Sequence, residues 1–156
     1  MENKKQPTQC EVAMATTQDI ATIARFQIDM AMESEGYELA QEKILQGVTA
    51  AMNDSNKGQY LIAKVEGIAV GSLMLTREWS DWNNNWYWWV QSVYVLPAYR
   101  GRGIYKAMYE HVKEMARTNG VKQVRLYVDK GNTPAQAVYK KLGMQECHYY
   151  MYEEVI

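Results

Sequence analysis

Val93-Tyr94-Val95-Leu96-Pro97-Ala98-Tyr99-Arg100-Gly101-Arg102-Gly103-Ile104-Tyr105-Lys106 is the stretch on which the reading of this chain turns. Its first three residues are β-branched or aromatic, as a strand prefers. Arg100-Gly101-Arg102-Gly103 is a glycine loop. From Ile104, the residues Met108, Val112 and Met115 recur at helical spacing until Asn119-Gly120. Strand, loop and helix start therefore follow one another directly. The first backbone N–H groups of a helix have no intrahelical partner, and the helix dipole adds positive potential there. Glycines let a ligand come close to that backbone. Such a turn is a cradle for a pyrophosphate, with Arg102 and Lys106 adding charge. A bare G-x-G also marks an ordinary strand-to-helix turn. Neither G-x-x-x-x-G-K-[ST] nor G-x-G-x-x-G is present, which excludes the two commonest nucleotide fingerprints.

Working towards the N-terminus, Trp86 to Val95 reads as a long strand, preceded by the turn Ser80 to Asn85. Ile68 to Leu75 and Tyr60 to Val65 read as two further strands joined by the tight turn Glu66-Gly67. Before the loop of residues 53–58, Ile44, Leu45, Val48, Ala51 and Met52 form one helical stripe. An earlier helix carries Ile20, Ile23, Ala24 and Met30, with Thr16 and Thr17 as N-cap residues and Glu33-Ser34-Glu35-Gly36 as its end. Glu11 to Ala15 is a short first strand, and residues 1–8 a disordered lead-in to a single domain over 9–156. Towards the C-terminus, Gln123 to Val128 is a strand. Asn132-Thr133-Pro134 opens a helix with stripe Ala135, Val138, Tyr139 and Leu142, stopped by Gly143. Glu146 to Glu154 is a last strand. The order β-α-α-β-β-β-α-β-α-β predicts an α/β fold with one mixed sheet and helices on its faces.

Composition narrows the function. With 156 residues, 47% of them apolar, the chain can bury one sizeable core. A net charge of −1 gives no global field for nucleic acid or an anionic membrane. Against it, Arg100, Arg102 and Lys106 match a small anionic ligand. Cys10 and Cys147 lie at opposite ends and form no metal or disulfide spacing. His111 and His148 do not complete a zinc site. The N-terminal MENKKQPTQ lacks the apolar core of a signal peptide, and no run spans a bilayer. The expectation is a cytoplasmic protein with no metal, no membrane and no nucleic-acid partner.

Two runs carry a family resemblance. Val95-x-Pro97-x-x-Arg100-Gly101-x-Gly103-Ile104 resembles motif A of the GNAT superfamily of N-acetyltransferases, Q/R-x-x-G-x-G/A. Asn132-x-x-Ala135-x-x-x-Tyr139-x-Lys141-x-Gly143-Met144 is similar to the motif B signature N-x-x-A-x-x-x-Y-x-K-x-G-F. The resemblance implies a GNAT-like fold, a central, mostly antiparallel sheet of about six to seven strands flanked by about four helices. It implies acetyl-CoA as cofactor and an amine of a small molecule or peptide as acceptor. Val93, Tyr94 and Val95 would pair with the pantetheine arm through their backbone. The N–H groups of Gly101, Arg102, Gly103, Ile104, Tyr105 and Lys106 would hold the pyrophosphate, Arg100 belonging to the same motif. Asn132 would hydrogen-bond the cofactor, and Tyr139 would protonate the leaving thiolate.

The chain departs from the pattern twice. Tyr105 stands where motif A has Gly or Ala, so its side chain must point away from the phosphates or the loop must adjust. Gln91 stands near the place where many members carry a glutamate base. Glutamine accepts no proton in this pH range but orients a water that relays one. Asp29, Glu33, Glu35 and Asp81 each read singly as solvated charges; together they favour a cationic acceptor. Trp79, Trp82, Trp86, Tyr87, Trp88 and Trp89 fall within eleven residues. Alternation puts Trp86 and Trp88 on one face and Tyr87 and Trp89 on the other. One face is core, and the remaining rings line an acceptor cleft or a homodimer interface. The missing glutamate keeps a second reading open, a non-catalytic acyl-CoA-binding module.

Overall fold

The computed structural model describes residues 8–156, so all but Thr8 of the expected lead-in lies outside the described residues. Among the described residues five strands form one sheet in the order β1-β2-β3-β4-β5: β1 Glu11–Met14, β2 Gln59–Val65, β3 Ile68–Ser80, β4 Asn85–Val95 and β5 Gln123–Arg125. The first three neighbouring pairs are antiparallel and the β4–β5 pair is parallel. The helices are α1 Ile20–Glu35, α2 Gln41–Asn53, α3 Ile104–Thr118 and α4 Thr133–Lys141. The chain divides after Leu126 into two compact units. Among the described residues no helix is long and apolar enough to cross a membrane.

In the first unit the sheet separates two apolar clusters. Ile23 and Ala24 of α1 and Val48 and Ala51 of α2 pack with Tyr60 and Ile62 of β2. On the opposite face, Ile104, Met108, Val112 and Ala116 of α3 pack with Leu61, Val70, Leu73, Leu75, Trp88 and Val90. Burying a Leu- or Val-sized side chain contributes about 1.5–3 kcal/mol. The i, i+4 spacing of the α3 residues thus fixes which face of that helix meets the sheet. Leu45, which the sequence stripe turns inward, is 40% exposed.

Local chemistry explains the boundaries. Thr16 starts the first helical segment as its N-cap; its backbone N–H donates to Asp19 Oδ2 at 2.8 Å, in a capping box. Gly36 ends α1 in the left-handed conformation, φ 63°. Glu66 and Gly67 both have positive φ, 50° and 78°, the backbone of the two-residue hairpin turn that suits a twisted ribbon.

Three strand expectations are corrected. β3 runs on to Ser80, not Leu75, because cross-strand pairs such as Trp79 opposite Trp86 extend the ladder to a turn at residues 81–84. β5 ends at Arg125, not Val128. Residues 146–154 form no strand, so among the described residues the sheet has five strands rather than six or seven. That segment has Tyr149, Tyr150 and Tyr152 exposed. Its aromatic content favours a strand only where a partner edge takes up its hydrogen bonds.

In the second unit, Asn132 caps α4: its Oδ1 accepts from the backbone N–H of Ala135 at 3.2 Å.

Candidate active site

β4 is the spine of the site. Up to Trp89 it is paired on both sides, with β3 and, over Tyr87–Trp89, with β5. Beyond Trp89 the ladder to β5 stops, while that to β3 resumes at Tyr94 opposite Ser72. Between them Ser92 and Val93 oppose the single residue Leu73, which is a β-bulge. Ser92 takes φ 53°, rare for a residue with a Cβ. Gln27, buried on α1, donates from Nε2 to the Ser92 carbonyl at 3.4 Å. The bulge bends the strand, and one edge of its last residues, Val93 to Val95, is left without a ladder partner among the described residues. An extended chain with amide groups can pair with that edge as an added strand would.

The glycine loop follows. A short 3₁₀ turn, Pro97–Tyr99, leads into Gly101, φ 71°, and Gly103, φ 81°, with Arg102 between them outside the positive-φ region. Alternation of this kind turns successive N–H groups into one concavity that suits an anion. Gly103 is the N-cap of α3, and Ala107 makes the first i→i−4 bond, to the Gly103 carbonyl, at 3.0 Å. The first N–H groups of α3 therefore have no intrahelical partner. Beyond its two chain neighbours, no atom lies within 4 Å of where a Cβ on Gly101 would sit. Thr8 N–H donates to the Arg102 carbonyl at 3.1 Å. Tyr105 stacks on Tyr109 one turn along, ring centroids 6.0 Å apart, and packs against the α3-side core. Its bulk is thus turned away from the loop. Lys106 is exposed on the first turn, and Arg102 lies over the Tyr99 ring at 5.2 Å.

Arg100 has partners within the protein. Its Nε donates to the Val95 carbonyl at 2.9 Å, its Nη2 meets Glu33 Oε2 at 2.6 Å, and its guanidinium lies 5.4 Å from the Tyr94 ring centroid. Tyr94 Oη donates to the other Glu33 oxygen at 2.8 Å. The Arg100 hydrogen bond, helped by that of Tyr94, holds the Glu33 carboxyl below the usual carboxylate range. Burial, followed by the hydrogen bond to the Glu33 carboxylate and that group's charge, pushes the Tyr94 phenol up to about 12. This triad ties the C-terminal end of α1 to β4 and to the loop. The sequence marked Glu33 only as one of four acidic residues; its partners lie more than sixty positions away, which no local pattern reveals.

Gln91 stands one residue before the bulge, and its Nε2 donates to Thr76 Oγ1 at 2.6 Å. Two residues towards the hairpin turn, Trp89 Nε1 donates to Glu78 Oε1 at 3.0 Å, and Arg125 Nη1 to Glu78 Oε2 at 3.3 Å. Arg125 also covers the Tyr87 ring at 4.2 Å. Trp88 is core, whereas Trp79 and Trp86 meet edge to face, 5.1 Å apart, and Trp82 is 90% exposed at the turn. Sequence reasoning missed Gln27 and Thr76. Gln27 had a signal, an amide four residues after Ile23 on the buried face of α1.

In the second unit Tyr139 is half-buried on α4, and burial raises its phenol above the ordinary value. Asn132 is seven positions earlier at the helix start, so both project from α4.

The model of the Acetyltransferase (GNAT) family matches residues 24–144, and the chain belongs to this family of acetyltransferase enzymes. A solved structure of a possible acetyltransferase from Clostridium difficile is 39% identical, with a TM-score of 0.88 over 94% of this chain and 97% of that one. The aminoalkylphosphonate N-acetyltransferase of Salmonella typhimurium is 25% identical over 90% of this chain and 88% of its own length. The mycothiol acetyltransferase of Corynebacterium glutamicum is 44% identical over 57 residues; the matched stretch is 35% of this chain and a fifth (20%) of that longer protein.

Proposed function

We propose that the chain is an acetyl-CoA-dependent N-acetyltransferase that passes the acetyl group directly to a primary amine. One observation carries the reading: β4 loses β5 after Trp89 and bulges at Ser92. An unpaired edge is thereby set beside a glycine loop and a helix N-terminus. The edge suits the amides of a pantetheine arm, and the loop and helix end suit a pyrophosphate. Acetyl-CoA, when bound, supplies the activated acetyl group.

The rest falls to the chain's own residues. Val93 to Val95 bind through the backbone and direct N–H groups at developing negative charge. Gly101 to Lys106 hold the phosphates, and Arg100 fixes the loop through Glu33. Gln91 orients the amine or its water. Tyr139 gives a proton to the departing sulfur, and Asn132 adds a hydrogen bond to the cofactor. Most of the acceleration comes from positioning. We take residues 9–156 as one acetyltransferase domain, because the family match over residues 24–144 reaches into both compact units.

The test is thiol release from acetyl-CoA over a panel of small amines and short peptides, with products weighed by mass spectrometry. Turnover with at least one amine is expected. Tight acetyl-CoA binding without turnover on any amine would support the acyl-CoA-binding module, the reading that Gln91 keeps open.

A further inference from the structure

Gln91 projects from β4 opposite Met74, and Thr76 is its diagonal neighbour on β3. The Gln91 Nε2 group donates to Thr76 Oγ1 at 2.6 Å. An amide whose donor side is held by a fixed neighbour presents its carbonyl oxygen the other way, and that oxygen only accepts. A neutral amine satisfies it: one N–H donates to Gln91 Oε1, and the lone pair stays available for attack. An ammonium ion gains no proton acceptor there. Three of the carboxylates of α1 and β3 named above already have partners. Asp29 is paired with Arg25 at 2.9 Å, Glu33 with Arg100 and Tyr94, and Glu78 with Arg125 and Trp89. The partners of Glu33 hold its proton affinity down.

Resting on the acetyl transfer proposed above, we infer that Thr76 positions the Gln91 amide to receive an amine that is already neutral, so the acceptor is an amine of low basicity, an α-amino group rather than a lysine-like one. At pH 7.5 roughly a third of peptide α-amino groups are neutral, against about one in a thousand lysine-like groups. Without a base on the enzyme, that ratio passes directly into kcat/KM. The step forms the bond from nitrogen to the acetyl carbon and breaks the bond from that carbon to sulfur. The amine loses one proton to water and the sulfur gains one, so protons balance.

The experiment measures kcat/KM against pH at saturating acetyl-CoA, with a tripeptide lacking side-chain amines and with n-butylamine. The acid limb should move with the acceptor, lying near ~8 for the tripeptide and about two units higher or more for butylamine. A limb at one position for both acceptors reports a base on the protein and overturns the substrate class. Thr76→Val should lower kcat/KM for the tripeptide about tenfold, with acetyl-CoA affinity within about twofold, and Thr76→Ser should restore it. Thr76→Ala serves the same purpose should the valine variant fold poorly. Wild-type rates in both hydroxyl-free variants overturn the role of Thr76 while the transferase reading stands. A wild-type protein that binds acetyl-CoA and acetylates no amine overturns both.

Discussion

Ser72 carries a hydroxyl that has no hydrogen-bond partner among the described residues, and its side chain is fully buried opposite Tyr94. A buried unsatisfied hydroxyl costs free energy, so Ser72→Ala should raise unfolding stability by about 1 kcal/mol, read as an upward shift of the urea midpoint at constant slope. Tyr139 makes the opposite kind of prediction. Tyr139→Phe keeps the ring and its packing, so circular dichroism should be unchanged. If this hydroxyl protonates the leaving sulfur, kcat should fall roughly 10²-fold with little change in acetyl-CoA affinity. A phenylalanine variant with wild-type kcat, where chemistry limits the rate, would show a packing residue. At this scale the sequence was legible where a residue acts through its neighbours in the chain. Asn132 opens its helix in the sequence and caps it in the structure, its Oδ1 accepting from the Ala135 N–H. It was not legible for Glu33, Arg100 and Tyr94, whose meeting depends on how α1 lies across β4.

Among elements, the β4 bulge and the start of α3 carry the proposed site, and each rests on a few backbone angles. Gly103 sits at φ 81°, where a Cβ is strained. Gly103→Asp adds that strain and puts negative charge at the helix end proposed to bind phosphate. Calorimetry should show acetyl-CoA binding at least about tenfold weaker, with the fold retained; unchanged affinity would remove the loop from the site. The sequence showed this element clearly, because glycine spacing and helical periodicity are local signals. It did not show the bulge. Val90 to Val95 reads as an uninterrupted strand, and only the register against β3 places Ser92 and Val93 opposite Leu73. The strand expected at 146–154 failed for a related reason: residue preference proposes a strand, and pairing decides it.

For the whole molecule, pH dependence follows from the triad that joins α1 to β4. The carboxyl of Glu33 is lower in the folded protein than in the unfolded chain. Its contribution is present above the unfolded value, near ~4.3, and is lost as pH falls through the lower folded value. Tyr94 behaves oppositely. Its phenol is raised from about 10 to about 12, so its contribution is intact below the unfolded value and is lost as pH rises through the folded one. Thermal melts from pH 7 to 3 should therefore decline less steeply in Glu33→Gln than in wild type, and Tyr94→Phe should flatten the decline above pH ~10. Identical slopes in wild type and Glu33→Gln would mean that the ion pair adds nothing to folding. The central claim concerns where the cofactor lies. It is tested most directly by amide hydrogen exchange with and without acetyl-CoA. Bound acetyl-CoA should slow exchange at Val93 to Val95 and at Gly101 to Lys106. Binding that leaves both stretches unprotected and protects another part of the chain would contradict it.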